Sequence, residues 1–272
     1  MKPTLPGGRE WLNKWNTGPE RVLDSGDRDP YDAEFIVRGD GQVFINGAGI
    51  ATMSGTAPRM YVYDEARAKK WNNVEVTFYG RRVSEMPFPT SYRGFVCGTR
   101  SEHQDAANTA SGILSPCKGR TYYGKLLYDG RVLFQKEIQH NSDNGYSLNV
   151  PNDEKLYWNT PDRSLPVGEW VGYKLIVQTV NNGRNVWLRL YRDVTDGRDG
   201  GDWQLLIQYI DQGGWTNPDL TLSLLRAACP NDAPSAVDEV LLGPGTSTFI
   251  RNDNILAADY KKFSIREIAP AD

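Results

Sequence analysis

The chain has 272 residues, 39% of them hydrophobic and 11% aromatic, enough to fill the core of one large β domain or two small ones and too much for disorder. With 31 basic against 34 acidic residues the net charge is −3, so no global positive field draws the chain onto nucleic acid. No apolar run approaches the roughly 20 residues that cross a bilayer, and the opening MKPTLPGGREWLNKW lacks the apolar stretch of a signal peptide.

Residues 1–30 carry Pro, Gly and charge without periodicity and predict a loose N-terminal arm, leaving residues 31–272 as a single domain. EFIVRGDGQVFING, residues 34–47, reads as a hairpin turning on Gly-Asp-Gly. RMYVYD (59–64) and NNVEVTFYGRRV (72–83) read as strands, followed by RGFVCGTRSEH (93–103). EWVGYKLIVQTVNNGRNVWLRLYRD (169–193) predicts two longer strands around Asn-Asn-Gly, which supplies the positive φ of a tight hairpin. DWQLLIQYID (202–211), GTSTFIRNDNI (245–255) and YKKFSIREI (260–268) complete about a dozen strands with no repeat and no linker. The pattern predicts an all-β, two-sheet antiparallel sandwich.

The stretch TYYGKLLYDGRVLFQKEIQH, residues 121–140, concentrates titratable side chains at its far end. If Asp129-Gly130 forms a two-residue turn, Tyr128 pairs with Arg131 and Tyr123 with Lys136. Tyr123, Lys125, Lys136 and His140 then share one face, and Tyr122, Gln135, Glu137 and Gln139 the other. A β-bulge would exchange the faces beyond it, so Lys136 and Glu137 stand as alternatives for the cleft side. His103 and His140 are the chain's two histidines, and both fall in the candidate segments 93–103 and 121–140.

Cys97, Cys117 and Cys229 show no CxxC spacing; a bridge between the loop cysteines 117 and 229 and three reduced thiols are both compatible with their contexts. Planar indoles stack well on sugar rings, but Trp170, Trp187 and Trp203 read as core, and Trp215, in DQGGWTNPD, as the surface candidate. The acidic loops DSGDRDPYD (24–32) and DVTDGRDGGD (193–202) offer hard oxygen ligands for a structural calcium, without EF-hand spacing.

The order GEWVGYKLIVQTV, NVWLRLYRD, DWQLLIQYID and closing YKKFSIREI resembles concanavalin A-like jelly rolls. Within that superfamily, RSEH (Arg100–His103) followed by KEIQH (Lys136–His140) resembles the polysaccharide lyases that act on alginate and glucuronan. Their Gln-Ile-His triplet stands here as Ile138-Gln139-His140. The resemblance implies a carbohydrate-active enzyme cleaving a uronic-acid polymer by β-elimination. Arg100 or Lys136 would hold the uronate carboxylate, His140 or His103 with Tyr123 would move protons, and Glu137 would stand beside them. Arg251, Lys125 and Trp215 would bind substrate. It implies a polysaccharide partner, a monomer, no obligatory cofactor and an extracellular location with the leader outside this sequence, the cytoplasm being the alternative. The rival readings are a non-catalytic carbohydrate-binding or adhesion module, and a glycoside hydrolase on the same fold using Glu102 and Glu137.

Overall fold

The computed structural model describes residues 4–66, 68–103, 119–140, 145–151, 158, 160–229 and 234–271. Its strands are β1 Glu10–Leu12, β2 Arg21–Asp24, β3 Arg28–Asp29, β4 Asp32–Ile45, β5 Ile50–Val62, β6 Val74–Glu85, β7 Gly94–Ser101, β8 Thr121–Leu127, β9 Val132–Glu137, β10 Trp170–Val180, β11 Asn185–Asp193, β12 Gln204–Asp211, β13 Ser247–Arg251 and β14 Ile255–Glu267, with a short helix α1, Leu222–Ala228. Neighbours follow the order β12-β11-β10-β6-β14-β5-β13-β7-β8-β9, with β4 also on β5. β5 belongs to both layers: residues 50–55 pair with β14 and residues 59–62 with β13, all antiparallel. The sheet therefore doubles over into the expected jelly-roll sandwich.

Strand alternation fills the space between the layers. Phe78 stacks on Tyr173 with ring centres 4.5 Å apart and meets Phe95 of the other layer edge-on at 6.2 Å. Each such side chain contributes about 1.5–3 kcal/mol by leaving water. The Tyr173 hydroxyl donates to the Gly124 carbonyl across the layers at 2.8 Å. A Cβ at Gly124 would lie 2.6 Å from that hydroxyl, so the close approach requires glycine.

The two ends of the sheet are latched by charge. Lys136 on β9 pairs with Asp211 on β12 at 2.9 Å, both side chains fully buried, and Tyr122 donates to the same carboxylate oxygen at 2.6 Å. The Lys136 ammonium also donates to the Asp238 and Glu239 carbonyls, so its protons all find acceptors.

Several expectations are corrected. Residues 34–47 are not a hairpin: β4 runs straight through Gly39-Asp40-Gly41, where a register irregularity against β5 absorbs the glycines. The N-terminal segment is no loose arm, because β1 pairs with β14, β2 pairs with β4, and Trp11 and Trp15 are buried against Phe35 and Phe263. Trp170, Trp187 and Trp203 are half-buried rather than core, lying under Arg81 and Lys261, Arg189, and Lys174 respectively. The Asn181-Asn182-Gly183 turn does take positive φ throughout, at 54°, 56° and 82°.

Candidate functional site

The β8–β9 connection decides which side chains face outward. The Leu127 amide donates to the Arg131 carbonyl, the Gly130 amide donates to the Leu127 carbonyl, and Gly130 has φ 90°. This is a three-residue loop closed by a glycine bulge, not the two-residue turn. Tyr123 consequently faces Gln135, and Tyr122 faces Lys136. The one-residue slip turns Lys136 inward, to the Asp211 latch, and puts Glu137 on the face of Tyr123 and Lys125. Lys136 therefore lies away from the site.

Arg100 is lost from the site by a second irregularity. β7 carries an extra residue against β13 between Gly98 and Ser101, and Arg100 takes φ 48° there. Its guanidinium turns away from the site and donates to the carbonyls of Asn72 and Leu241 and to the side chains of Asn73 and Thr179. Burial lowers its pKa to about 10. Glu102, the other acid of the hydrolase reading, lies just beyond the irregularity, its amide donating to the Arg120 carbonyl at 3.0 Å, and does not line the groove. Trp215 is also buried, 3% exposed, because Gly213 and Gly214 at φ 88° and 77° turn the chain back beneath the sheet. It stacks on Tyr122 and donates to the Leu148 carbonyl.

The remaining candidates converge. Glu137 is fully buried; its Oε2 accepts from His103 Nε2 at 2.8 Å and from the Tyr123 hydroxyl at 2.7 Å, and its Oε1 from His140 Nδ1 at 2.6 Å. Burial alone would raise the carboxyl, but His103 and His140 outweigh it and hold Glu137 well below the ordinary carboxylate range. Burial lowers the His103 pKa against the pull of Glu137. An ionised carboxylate only accepts, so the protons sit on His103 Nε2 and His140 Nδ1. His103 Nδ1 is then free to accept from the Tyr61 hydroxyl at 3.1 Å. The His140 side chain is 39% exposed and reaches the surface groove; its Nε2 carries the free lone pair.

Successive rows of cross-strand partners build that face. Arg38, Arg59, Arg251, Val96, Lys125 and Leu133 lie opposite one another across β4, β5, β13, β7, β8 and β9. The next row is Ile36, Tyr61, Phe249, Gly98, Tyr123 and Gln135, and Glu137 lies beyond it. A cavity of about 520 Å³ opens over these rows, lined by Arg59, Tyr92, Lys125, Gln135, His140, Tyr146, Asn149, Asn217 and Arg251 among others. Tyr92 is flanked by Lys125 Nζ and the Arg251 guanidinium, each 3.7 Å from its ring centre. Arg251 pairs with Asp253 at 2.6 Å, whereas Lys125, 1% exposed, donates to Gln135. Burial, reinforced by Arg251 and Arg131, holds Lys125 well below the usual lysine range. Burial and then Glu137 raise the Tyr146 pKa. Arg38, Arg59, Tyr61, Tyr92 and Tyr146 were missed from sequence. Only the alternating strand pattern around Arg59 and Tyr61 pointed outward, and nothing local marked their distant partners.

In the acidic loops, two of the carboxylates expected as hard oxygen ligands are already engaged within the protein. Asp193 accepts from Thr195, Gly197, Asp202 and Tyr79, and Asp29 is paired with Arg21. Cys97 is a buried free thiol; Cys117 lies outside the described residues. Among the described residues, no helix is long and apolar enough to cross a membrane.

No protein-family model matches the chain, and no curated protein matches it. Among solved structures, it is similar to the receptor-binding domain of botulinum neurotoxin mosaic serotype C/D, with 14% identity and a TM-score of 0.42 over 91% of this chain and 47% of that one. It is also similar to a legume lectin-like domain from Entamoeba histolytica, at 8% identity and TM-score 0.41 over 92% and 97% of the two chains. The carbohydrate recognition domain of Emp46p, in its metal-free form, gives 9% identity and TM-score 0.45 over 91% and 94%. The chain spans about half the length of the neurotoxin domain and nearly all of the other two. At these values the functional reading stands on the chemistry of the site itself.

Proposed function

We propose that the groove binds an acidic carbohydrate polymer and cleaves it by elimination across a uronic-acid linkage. The observation that carries this reading is the row Arg38, Arg59, Arg251 and Lys125 running beside a histidine held by a buried carboxylate. Like charges placed directly opposite on neighbouring strands destabilise a sheet. A polyanion bound across the row relieves that repulsion.

In the proposed reaction, Arg59 and Arg251 neutralise the uronate carboxylate, which acidifies the adjacent C5 proton. His140 Nε2 accepts that proton while Glu137 holds Nδ1–H, fixing the tautomer and stabilising the imidazolium. The C4–O bond breaks as the C4=C5 double bond forms, and Tyr146 delivers a proton to the leaving oxygen. Tyr123 and His103 position Glu137, Tyr92 separates Lys125 from Arg251, and Tyr146 offers a ring face to the sugars.

A glycoside hydrolase would need a second carboxylate in the groove. Among the described residues, none of the side chains lining the cavity is acidic. The binding-module reading shares the groove and differs only in product. Incubation with a panel of uronate polymers and neutral glucans separates these readings: ultraviolet absorbance of the unsaturated product should rise with a uronate polymer alone. Binding without that absorbance would make the domain a binding module.

A further inference from the structure

We propose that His103, Glu137 and His140 also form a site for a borderline divalent transition ion, of which zinc is the type, and that its occupancy shuts off proton transfer. The donor atoms His103 Nε2, His140 Nδ1 and a Glu137 carboxylate oxygen all lie within 4.8 Å of one another. A tetrahedral zinc with bonds of about 2.0–2.2 Å sets its donors about 3.4 Å apart, so the widest pair must close by no more than about 1.4 Å, a rotamer adjustment, to bring the three into place. Two imidazoles and one carboxylate suit zinc rather than calcium or magnesium, which take mostly oxygen ligands.

Supporting partners are already in place. The Tyr61 hydroxyl lies 3.1 Å from His103 Nδ1, the ring nitrogen left over when Nε2 binds metal, and Tyr123 donates to Glu137 at 2.7 Å. Such outer partners orient ligands and fix their tautomers. His140 reaches the groove, so an ion can enter the site from the cavity.

Metal and catalysis exclude each other through the tautomers. Without metal, His140 Nδ1–H donates to Glu137 and Nε2 holds the lone pair. Zinc must take the Nδ1 lone pair, which moves the proton to Nε2 and removes the base from the groove. His103 switches likewise, its proton moving to Nδ1 with Tyr61 as acceptor.

The binding claim is independent of the elimination reading; only the inhibitory consequence rests on it. The test titrates zinc into chelator-treated protein by calorimetry without any carbohydrate, with cobalt(II) absorption as a second probe. The expected result is one saturable zinc per chain and a tetrahedral cobalt spectrum, with His140→Ala weakening zinc at least tenfold. Tyr61→Phe should weaken it several-fold while leaving stoichiometry unchanged. Absence of saturable binding to the folded wild type, or affinity unchanged in His140→Ala, would overturn the site whether or not any polymer is cleaved. His140 is partly exposed, so its variant should fold even where Glu137→Gln does not. On a polymer that the protein cleaves, zinc should inhibit in proportion to occupancy and a chelator should restore the rate; full activity at saturating zinc would overturn the exclusion.

Discussion

Arg59 and Arg251 stand directly opposite each other on β5 and β13, two guanidinium groups in register on one face of the sheet. Arg251 is compensated by Asp253, but Arg59 has no carboxylate partner among the described residues, its Nη1 donating only to the Ala57 carbonyl. Arg59→Ala should therefore leave stability unchanged or raise it by up to about 1 kcal/mol. The same change should weaken binding of an acidic glycan and flatten its dependence on salt. Affinity measured across an ionic-strength series checks both; an unchanged salt slope would place the polyanion elsewhere.

Lys136 carries the opposite expectation. Its ammonium lies in the latch between β9 and β12, so Lys136→Ala leaves Asp211 buried and unpaired. The loss should be about 3–5 kcal/mol in urea unfolding. In any fraction that stays folded, affinity for glycan should match wild type. A stable Lys136→Ala protein with lost affinity would return this lysine to the groove.

Asp193 gives a prediction for acid stability. Burial alone would raise its pKa, but hydrogen bonds from Thr195, Tyr79 and the Gly197 amide prevail and lower it from 3.8 to about 2. A carboxylate depressed in the folded state stabilises above its unfolded pKa and loses that contribution as pH falls through the folded one. Asp193 should thus contribute about 1–2 kcal/mol at neutral pH, fading between about pH 4 and 2. Urea unfolding of Asp193→Asn at a series of pH values should show a shallower slope in that window. A slope equal to wild type would contradict the assignment.

Much of the fold was legible because Gly, Asp and Asn clusters punctuate alternating apolar runs, as in the hairpin through Asn181-Asn182-Gly183. The site was only half legible, for a local reason. Asp129-Gly130 fits both a two-residue turn and a three-residue loop ending in a glycine bulge, and the choice exchanges Lys136 for Glu137. Arg100 was misplaced by a similar one-residue irregularity in β7. The cationic row was invisible because its members meet only through pairing of strands far apart in the chain. Trp215 was misjudged because a glycine-rich loop suggested exposure, whereas Gly213-Gly214 turns its ring inward.

The central claim is that His140, aligned by Glu137, takes the proton that starts elimination. The most direct measurement compares wild type and His140→Ala on the uronate polymer that wild type cleaves, following ultraviolet absorbance of the unsaturated product alongside thermal melting of both proteins. The account predicts loss of at least a hundredfold in rate, with the melting temperature within a few degrees of wild type. A folded His140→Ala protein that eliminates at the wild-type rate would contradict it.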